Sequence, residues 1–150
     1  MTDEDRFLLL NDILSRLVFG VKMSSVKLNE FGHVIDVSND LIEVTPENIS
    51  VILEYYDLAT LRPWLRSMYD ISESELKELR SICTMHDVGG ETYEFWGIEI
   101  THSSRYGKVF SKKYEAIDWL NKHHFDYRGL LERGLALMVK SDIYENSNLP

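Results

Sequence analysis

The sequence contains few of the residues that build disulfide-linked, metal-binding or membrane-spanning proteins. Only one of its 150 residues is a cysteine, Cys83, which excludes an internal disulfide and a CxxC metal motif. Cys83 falls on the apolar side of a predicted helix, where we expect an inert core thiol. No apolar run approaches the roughly 18 residues of a membrane span. The segment MTDEDRF is acidic, whereas a secretory signal begins with basic residues, so we expect a cytoplasmic protein with no membrane partner.

The motifs of common enzyme classes are also missing. The sequence has no P-loop, no GxGxxG, no HExxH and no G-x-S-x-G around any serine. These absences disfavour the best-marked nucleotide-binding and hydrolytic families. We therefore predict no cofactor and no resident metal, and we expect a protein that is not an enzyme.

The charge balance is acidic, with 16 basic and 25 acidic residues and a net charge of −9. Binding to nucleic acid depends on lysine and arginine displacing counterions, so this balance disfavours nucleic acid as a partner. An acidic surface favours solubility, and it also suits docking on a basic protein.

The N-terminal third predicts a helix followed by short strands. Thr2 is placed to cap the helix, with Asp5 three residues later, and Asp12 and Arg16 have the spacing of an ion pair. Gly20 suits the left-handed residue after a helix. The apolar residues that keep helical spacing along one side are Phe7, Leu10, Leu14, Leu17 and Val18. Roughly alternating apolar and polar residues then predict four strands, within residues 21–28, 33–38, 41–44 and 49–56. The segment TPEN, residues 45–48, is ambiguous because it could also start a helix.

The C-terminal two thirds predict an extended segment, a helix, a hairpin and another helix. A single turn over residues 58–61 precedes the extended segment. Ser72 and Glu75 form a capping box at the start of a helix. The buried side of this helix carries Leu76, Leu79 and Cys83. A hairpin is predicted to turn at Gly89-Gly90. The last helix follows a predicted cap at Ser111, and its apolar side is Ala116, Ile117 and Leu120, with a short strand or helix end at LALMV.

The stretch KHHFDYRG, residues 122–129, has two interpretations. Helical spacing from Leu120 places at least one of His123 and His124 on the core side of the helix and the other at its C-terminus. The residues that follow are then a structural turn, in which Asp126 can hydrogen-bond to its own backbone. The alternative is a hydrolase or metal enzyme using His123, His124 and Asp126. Adjacent histidines diverge by about 100° on a helix, so they seldom bind one ion. We prefer the structural interpretation.

A second stretch, LRPWLRSMYD, concentrates basic and aromatic residues in an acidic chain. Arginines beside aromatic rings suit contacts with proteins, nucleotides or other small anions. The alternative is that Trp64 and Leu65 are buried while the arginines pair with nearby carboxylates. The candidate binding residues of this stretch and of the histidine turn are Arg62, Trp64, Arg66, His124, Tyr127 and Arg128.

Two longer blocks carry a resemblance. LRPWLRSMYDISESELKEL and AIDWLNKHHFDYRGLLERGLAL, with FGVKM upstream, resemble in order the motifs of a family of small proteins carried by bacteriophages and mobile elements of gut anaerobic bacteria. The resemblance covers residues 58–82 and 115–137 and departs at Ser67, where proline is common. That family has no established activity, so the resemblance implies no catalytic residue. It implies an accessory protein of a phage or mobile element, acting in the bacterial cytoplasm.

We predict a single α+β domain over residues 1–150, with residues 1–66 and 67–150 as candidate lobes. A small antiparallel, barrel-like sheet packs on the N-terminal helix, and a helix–hairpin–helix unit follows. The function we favour is a non-enzymatic binding module, an adaptor or inhibitor of a host or phage protein. The alternatives are a small-ligand or nucleotide binder, and the hydrolase or metal enzyme.

Overall fold

The computed structural model describes residues 1–82, 85–87, 93–95, 114–139 and 143–144. The chain forms two compact units: Met1–Leu65 with Leu130–Pro150 make unit 1, and Arg66–Gly129 make unit 2. The fold is α+β. In chain order the helices and strands are α1 (Asp3–Arg16), β1 (Val21–Leu28), β2 (Val34–Val37), β3 (Ile42–Val44), α2 (Ile49–Tyr55), β4 (Leu61–Leu65), α3 (Glu73–Ile82), β5 (Met85–Asp87), β6 (Tyr93–Phe95), α4 (Tyr114–Lys122) and β7 (Leu137–Met138).

Unit 1 contains a curled five-stranded sheet around the long strand β1. β2 and β3 pair antiparallel with the two halves of β1, and β4 pairs antiparallel with its middle. β7 runs parallel to β4, with Trp64 opposite Leu137. The sheet is therefore mixed rather than purely antiparallel as predicted, because the returning chain adds a parallel strand.

Helix α1 begins as predicted but buries a different side. The Thr2 hydroxyl accepts a hydrogen bond from the backbone N–H of Asp5 at 3.1 Å, and three acidic residues occupy the first turn, where the helix dipole favours them. The buried side carries Leu9, Ile13 and the ion pair of Asp12 and Arg16. Of the apolar side predicted from the sequence, Leu10 and Leu17 pack partly against the core, whereas Phe7, Leu14 and Val18 are exposed.

Most of the fourth predicted strand, residues 49–56, forms the helix α2 (Ile49–Tyr55), so that prediction is wrong. The TPEN segment is the turn that starts it: the Asn48 side chain accepts from the N–H of Thr45 at 2.8 Å, and Ile49 N–H donates to the Thr45 carbonyl at 3.1 Å. The residues that this helical segment packs into the core are Ile49, Ile52, Leu53 and Tyr56, which is helical spacing. Tertiary packing of that side outweighs the strand preference of the β-branched residues.

The core of unit 1 lies between α1, α2 and one face of the sheet. Its buried members are Leu9, Ile13, Val21, Met23, Val44, Ile52, Leu58, Leu61, Leu65, Leu130, Leu135 and Ala136. The predicted turn before β4 is a 3₁₀ turn, Leu58–Thr60, followed by the predicted extended segment. Residues from both ends of the chain thus complete one core.

Unit 2 contains α3, α4 and the antiparallel pair β5 and β6. The capping box is confirmed: Ser72 Oγ accepts from the N–H of Glu75 at 3.2 Å, and Glu75 accepts from the N–H of Ser72 at 2.9 Å. The buried core is Met68, Leu79, Ala116, Trp119, Leu120, Phe125 and Tyr127. The predictions for Cys83, Gly89-Gly90 and Ser111 fall outside the described residues. Among those described, no helix has both the length and the apolar character needed to cross a membrane.

Candidate functional site

The histidine turn of unit 2 is a helix C-terminus. α4 ends at Lys122, and His124 has the positive φ of 59°. The N–H of Phe125 donates to the Leu120 carbonyl at 3.0 Å and the N–H of His124 to the Asn121 carbonyl at 3.1 Å, which is the Schellman pattern. The left-handed position is usually glycine, so no residue of the sequence indicates that His124 occupies it.

This turn is held by the backbone of Arg66. The N–H of Arg66 donates to the His124 carbonyl, and the Arg66 carbonyl accepts from the N–H of Asp126, both at 2.8 Å. His124 and Asp126 are buried. A buried side chain meets a substrate only if the turn rearranges, so this burial favours the structural interpretation of KHHFDYRG.

The Arg66 side chain forms a bidentate pair with Glu75. The two N–O distances are 2.7 and 2.9 Å, and the guanidinium lies 4.2 Å from the centre of the Phe125 ring. Burial raises the pKa of Glu75, but hydrogen bonds from Arg66 and Ser72 outweigh it, so the pKa lies below its usual value. Arg66 thus connects Glu75, at the start of α3, with the turn after α4, which its backbone and guanidinium both contact.

His123 and Tyr127 make separate contacts in unit 2. The His123 ring lies 4.2 Å from the Trp119 ring, and burial lowers the pKa of His123 despite the opposing effect of nearby glutamates. The Tyr127 hydroxyl donates to the Asn121 side chain at 3.0 Å and accepts from the Arg128 guanidinium at 3.1 Å. Arg128 is half-buried and lies 5.2 Å from the Tyr127 ring centre.

The other two candidate residues belong to unit 1. Arg62 is only 2% exposed, and its guanidinium donates to the carbonyls of Ala59, Leu61 and Gly134, each at 2.8 Å. Burial lowers its pKa, an effect that Asp5 partly offsets. The Trp64 indole donates to the Ser24 hydroxyl at 2.9 Å. Both side chains stabilise the sheet and the segment that leads to β7.

The structure reveals a surface that the sequence did not identify. We define the outer stripe as Phe7, Leu14 and Val18, which are 70%, 46% and 76% exposed. They lie on one side of α1 and of the 3₁₀ turn after it, opposite the buried side. The signal was present in the spacing of these residues, but the sequence does not reveal which of two apolar sides a helix buries.

An open groove of about 450 Å³ adjoins the end of the outer stripe. Its walls come from the turn after α1, from β3 and from the turn before α2. The lining residues are Leu17, Val18, Phe19, Gly20, Glu43, Thr45, Pro46 and Glu47. Val18 belongs to both the stripe and the groove, so the two form a continuous surface.

No group of three or more His, Cys, Asp or Glu with metal-site geometry occurs in the described part of the chain. Comparisons of the chain with protein families, with curated proteins and with solved structures each found no match.

Proposed function

We propose that the chain is a non-enzymatic binding module that contacts a protein partner through the outer stripe of unit 1. The observation that carries the proposal is the exposure of Phe7, Leu14 and Val18 along one side of α1 and of the 3₁₀ turn that follows it. Single exposed apolar residues are ordinary on protein surfaces, but an aligned set marks an interaction site. Large apolar side chains at the centre of an interface supply most of its binding energy.

The contacts of three candidate binding residues add support. Arg62 hydrogen-bonds to backbone carbonyls, Arg66 pairs with Glu75, and His124 lies buried in a helix-terminal turn. Groups held in this way stabilise each unit. The resemblance to phage and mobile-element proteins gives the proposed setting: an adaptor or inhibitor of a host or phage protein in a bacterial cytoplasm.

The test is site-specific photo-crosslinking followed by a binding measurement. A photoreactive phenylalanine analogue is placed at position 7 or 18, and at Glu30 as an exposed control, in lysate of a gut anaerobic bacterium. A protein captured from positions 7 and 18 but not 30 is then purified. Its affinity is measured for the wild type and for Phe7→Ser, Val18→Ser and Ile35→Ser; Ile35 is 64% exposed and belongs to β2.

We expect Phe7→Ser and Val18→Ser each to weaken binding by about tenfold, because each removes an apolar contact. Ile35→Ser is expected to leave the affinity unchanged. Equal loss in all three variants, or equal capture from all three positions, would refute a role for the outer stripe.

A small anion or nucleotide is the second candidate ligand, and one observation favours it. The Arg128 guanidinium is half-buried against the Tyr127 ring, an arrangement that suits stacking and anion contacts. A nucleotide at a hundredfold excess over its Kd would raise the unfolding free energy by about 2.7 kcal/mol. Thermal shift with a nucleotide panel, with Arg128→Gln as the control variant, tests this candidate; no shift with any nucleotide removes it.

A further inference from the structure

The groove beside the outer stripe combines an apolar wall with negative charge. Val18, Phe19 and Pro46 supply apolar surface, and Glu43 and Glu47 supply two carboxylates. No lysine, arginine or histidine is among the described residues that line it. Its volume of about 450 Å³ lies in the range of sites that take a side chain or small ligand.

Backbone geometry brings the Glu43 carboxylate close to the wall of the groove. Gly20 has a φ of +70°, and a Cβ built there would lie 2.9 Å from Glu43 Oε1. A larger residue at position 20 would therefore displace the carboxylate as well as strain the backbone. The glycine lets Glu43 approach the backbone that follows the 3₁₀ turn.

The cation closest to Glu43 in the strand register is engaged elsewhere. Lys22 lies opposite Glu43 across the pair of β1 and β3. Its ammonium donates to the Ile143 carbonyl at 2.7 Å and lies 5.6 Å from the centre of the Tyr144 ring. A positive charge that complements the groove is therefore expected from the binding partner.

We infer that the partner binds with an apolar segment that carries a lysine or arginine at one end. This inference rests on the proposed function, because the apolar part of the segment covers the outer stripe. Phe7 and Val18 are eleven residues apart, or about 16 Å along a helix, a distance that three turns of a partner helix would match. Val18 is where the apolar contact ends and the groove begins.

Both the stem and the charged head of a long basic side chain fit this groove. Its methylene stem packs on Val18, Phe19 and Pro46, while its charged head reaches Glu43 and Glu47. Charge-assisted hydrogen bonds to carboxylates are stronger than neutral ones, and arginine can form two in parallel. The carboxylates thus select for the charge, and the apolar wall favours a long side chain over short polar ones.

Selection from a random peptide library tests the inference. A library of 12-residue peptides on phage is selected against the full chain, and the enriched peptides are synthesised. Their affinities are measured for the wild type, for E43Q/E47Q, for F7S/V18S and for E30Q/E132Q. The last variant is the matched control, because it removes the same charge at two exposed glutamates that do not line the groove.

The expected peptides carry a basic residue beside apolar ones. Their binding should weaken by about tenfold or more in E43Q/E47Q and in F7S/V18S, and stay within about twofold in E30Q/E132Q. Binding to the wild type should also weaken as salt rises, because salt screens the charges. Circular dichroism of each variant checks that the fold is retained.

Other outcomes separate the two proposals. Peptides that lose affinity in F7S/V18S but not in E43Q/E47Q would overturn the inference and keep the outer stripe as a docking surface. An equal loss of affinity in E43Q/E47Q and E30Q/E132Q would show that binding depends only on overall charge, and it would also overturn the inference. Peptides insensitive to every variant, or no enriched peptide, would overturn both. A free chain that dimerises in sedimentation, and loses the dimer in F7S/V18S, would assign the surface to a second copy instead.

Discussion

The ion pair of Asp12 and Arg16 gives a sharp test of how unit 1 is held together. Arg16 Nε lies 2.8 Å and Nη2 2.9 Å from the two carboxylate oxygens of Asp12, and both side chains are 0% exposed. Water screens neither charge. The small contributions to stability that are typical of surface ion pairs therefore do not apply. Removal of one partner leaves the charge of the other buried.

Asp12→Asn or Arg16→Met is expected to lower the unfolding free energy by about 3–5 kcal/mol, the range for broken buried pairs. The double variant Asp12→Leu/Arg16→Met removes both charges and puts apolar side chains in their place, with leucine keeping the branching of aspartate. It should recover most of the loss, because well-packed apolar residues often match or exceed a buried pair. The loss therefore arises from the isolated charge rather than from the missing attraction.

The assay is urea unfolding followed by circular dichroism. The control is Arg133→Met, which breaks an exposed pair with Glu4 and Asp5 and should leave the unfolding midpoint nearly unchanged. A loss below about 1 kcal/mol in both single variants would refute the reasoning, since that is the size expected of solvent-screened pairs. A double variant that is as unstable as the sum of the single ones would refute the account of the isolated charge.

Four further predictions concern single side chains. Tyr144→Phe should cost about 1–2 kcal/mol in urea unfolding, because the tyrosine hydroxyl donates to the Trp64 carbonyl at 2.8 Å; no loss would contradict this bond. Ser72→Ala should cost about 1 kcal/mol and reduce helicity, since it removes the cap of α3. His124→Val should cost about 1–2 kcal/mol more than His124→Asn, because asparagine tolerates the positive φ that valine does not. The pKa of His123 is lowered from 6.5 by burial, so the unfolded state binds more protons just below pH 6.5. Stability should thus fall as the pH drops through 6.5 towards the folded pKa, and His123→Gln should reduce that slope; an unchanged slope would exclude His123 as its source.

Local signals in the sequence predicted local structure well. The cap at Thr2 and the capping box of Ser72 and Glu75 both form, since each depends on residues three positions apart. The spacing of Asp12 and Arg16 predicted their pair, although not its complete burial. Such features need no information about distant parts of the chain.

The errors arose where distant contacts decide between two local patterns. α1 has apolar residues on two sides, and only the packing in unit 1 buries Leu9 and Ile13 while exposing Phe7. In residues 49–56 the β-branched composition favoured a strand, whereas burial at helical spacing gives a helix. The outer stripe could not be predicted for the same reason, because its exposure depends on which side of α1 is buried.

The order in which the chain is made matters for β4. Its neighbour β7 lies beyond the whole of unit 2, about 70 residues further along. At ribosomal rates of about 5–20 residues per second, synthesis of that insertion takes roughly 4 to 14 seconds. Throughout this interval one edge of β4 has no strand beside it, and open edges recruit other chains. The nascent protein is therefore most open to a chaperone, or to mispairing with a neighbouring nascent chain, before residue 137 leaves the ribosome.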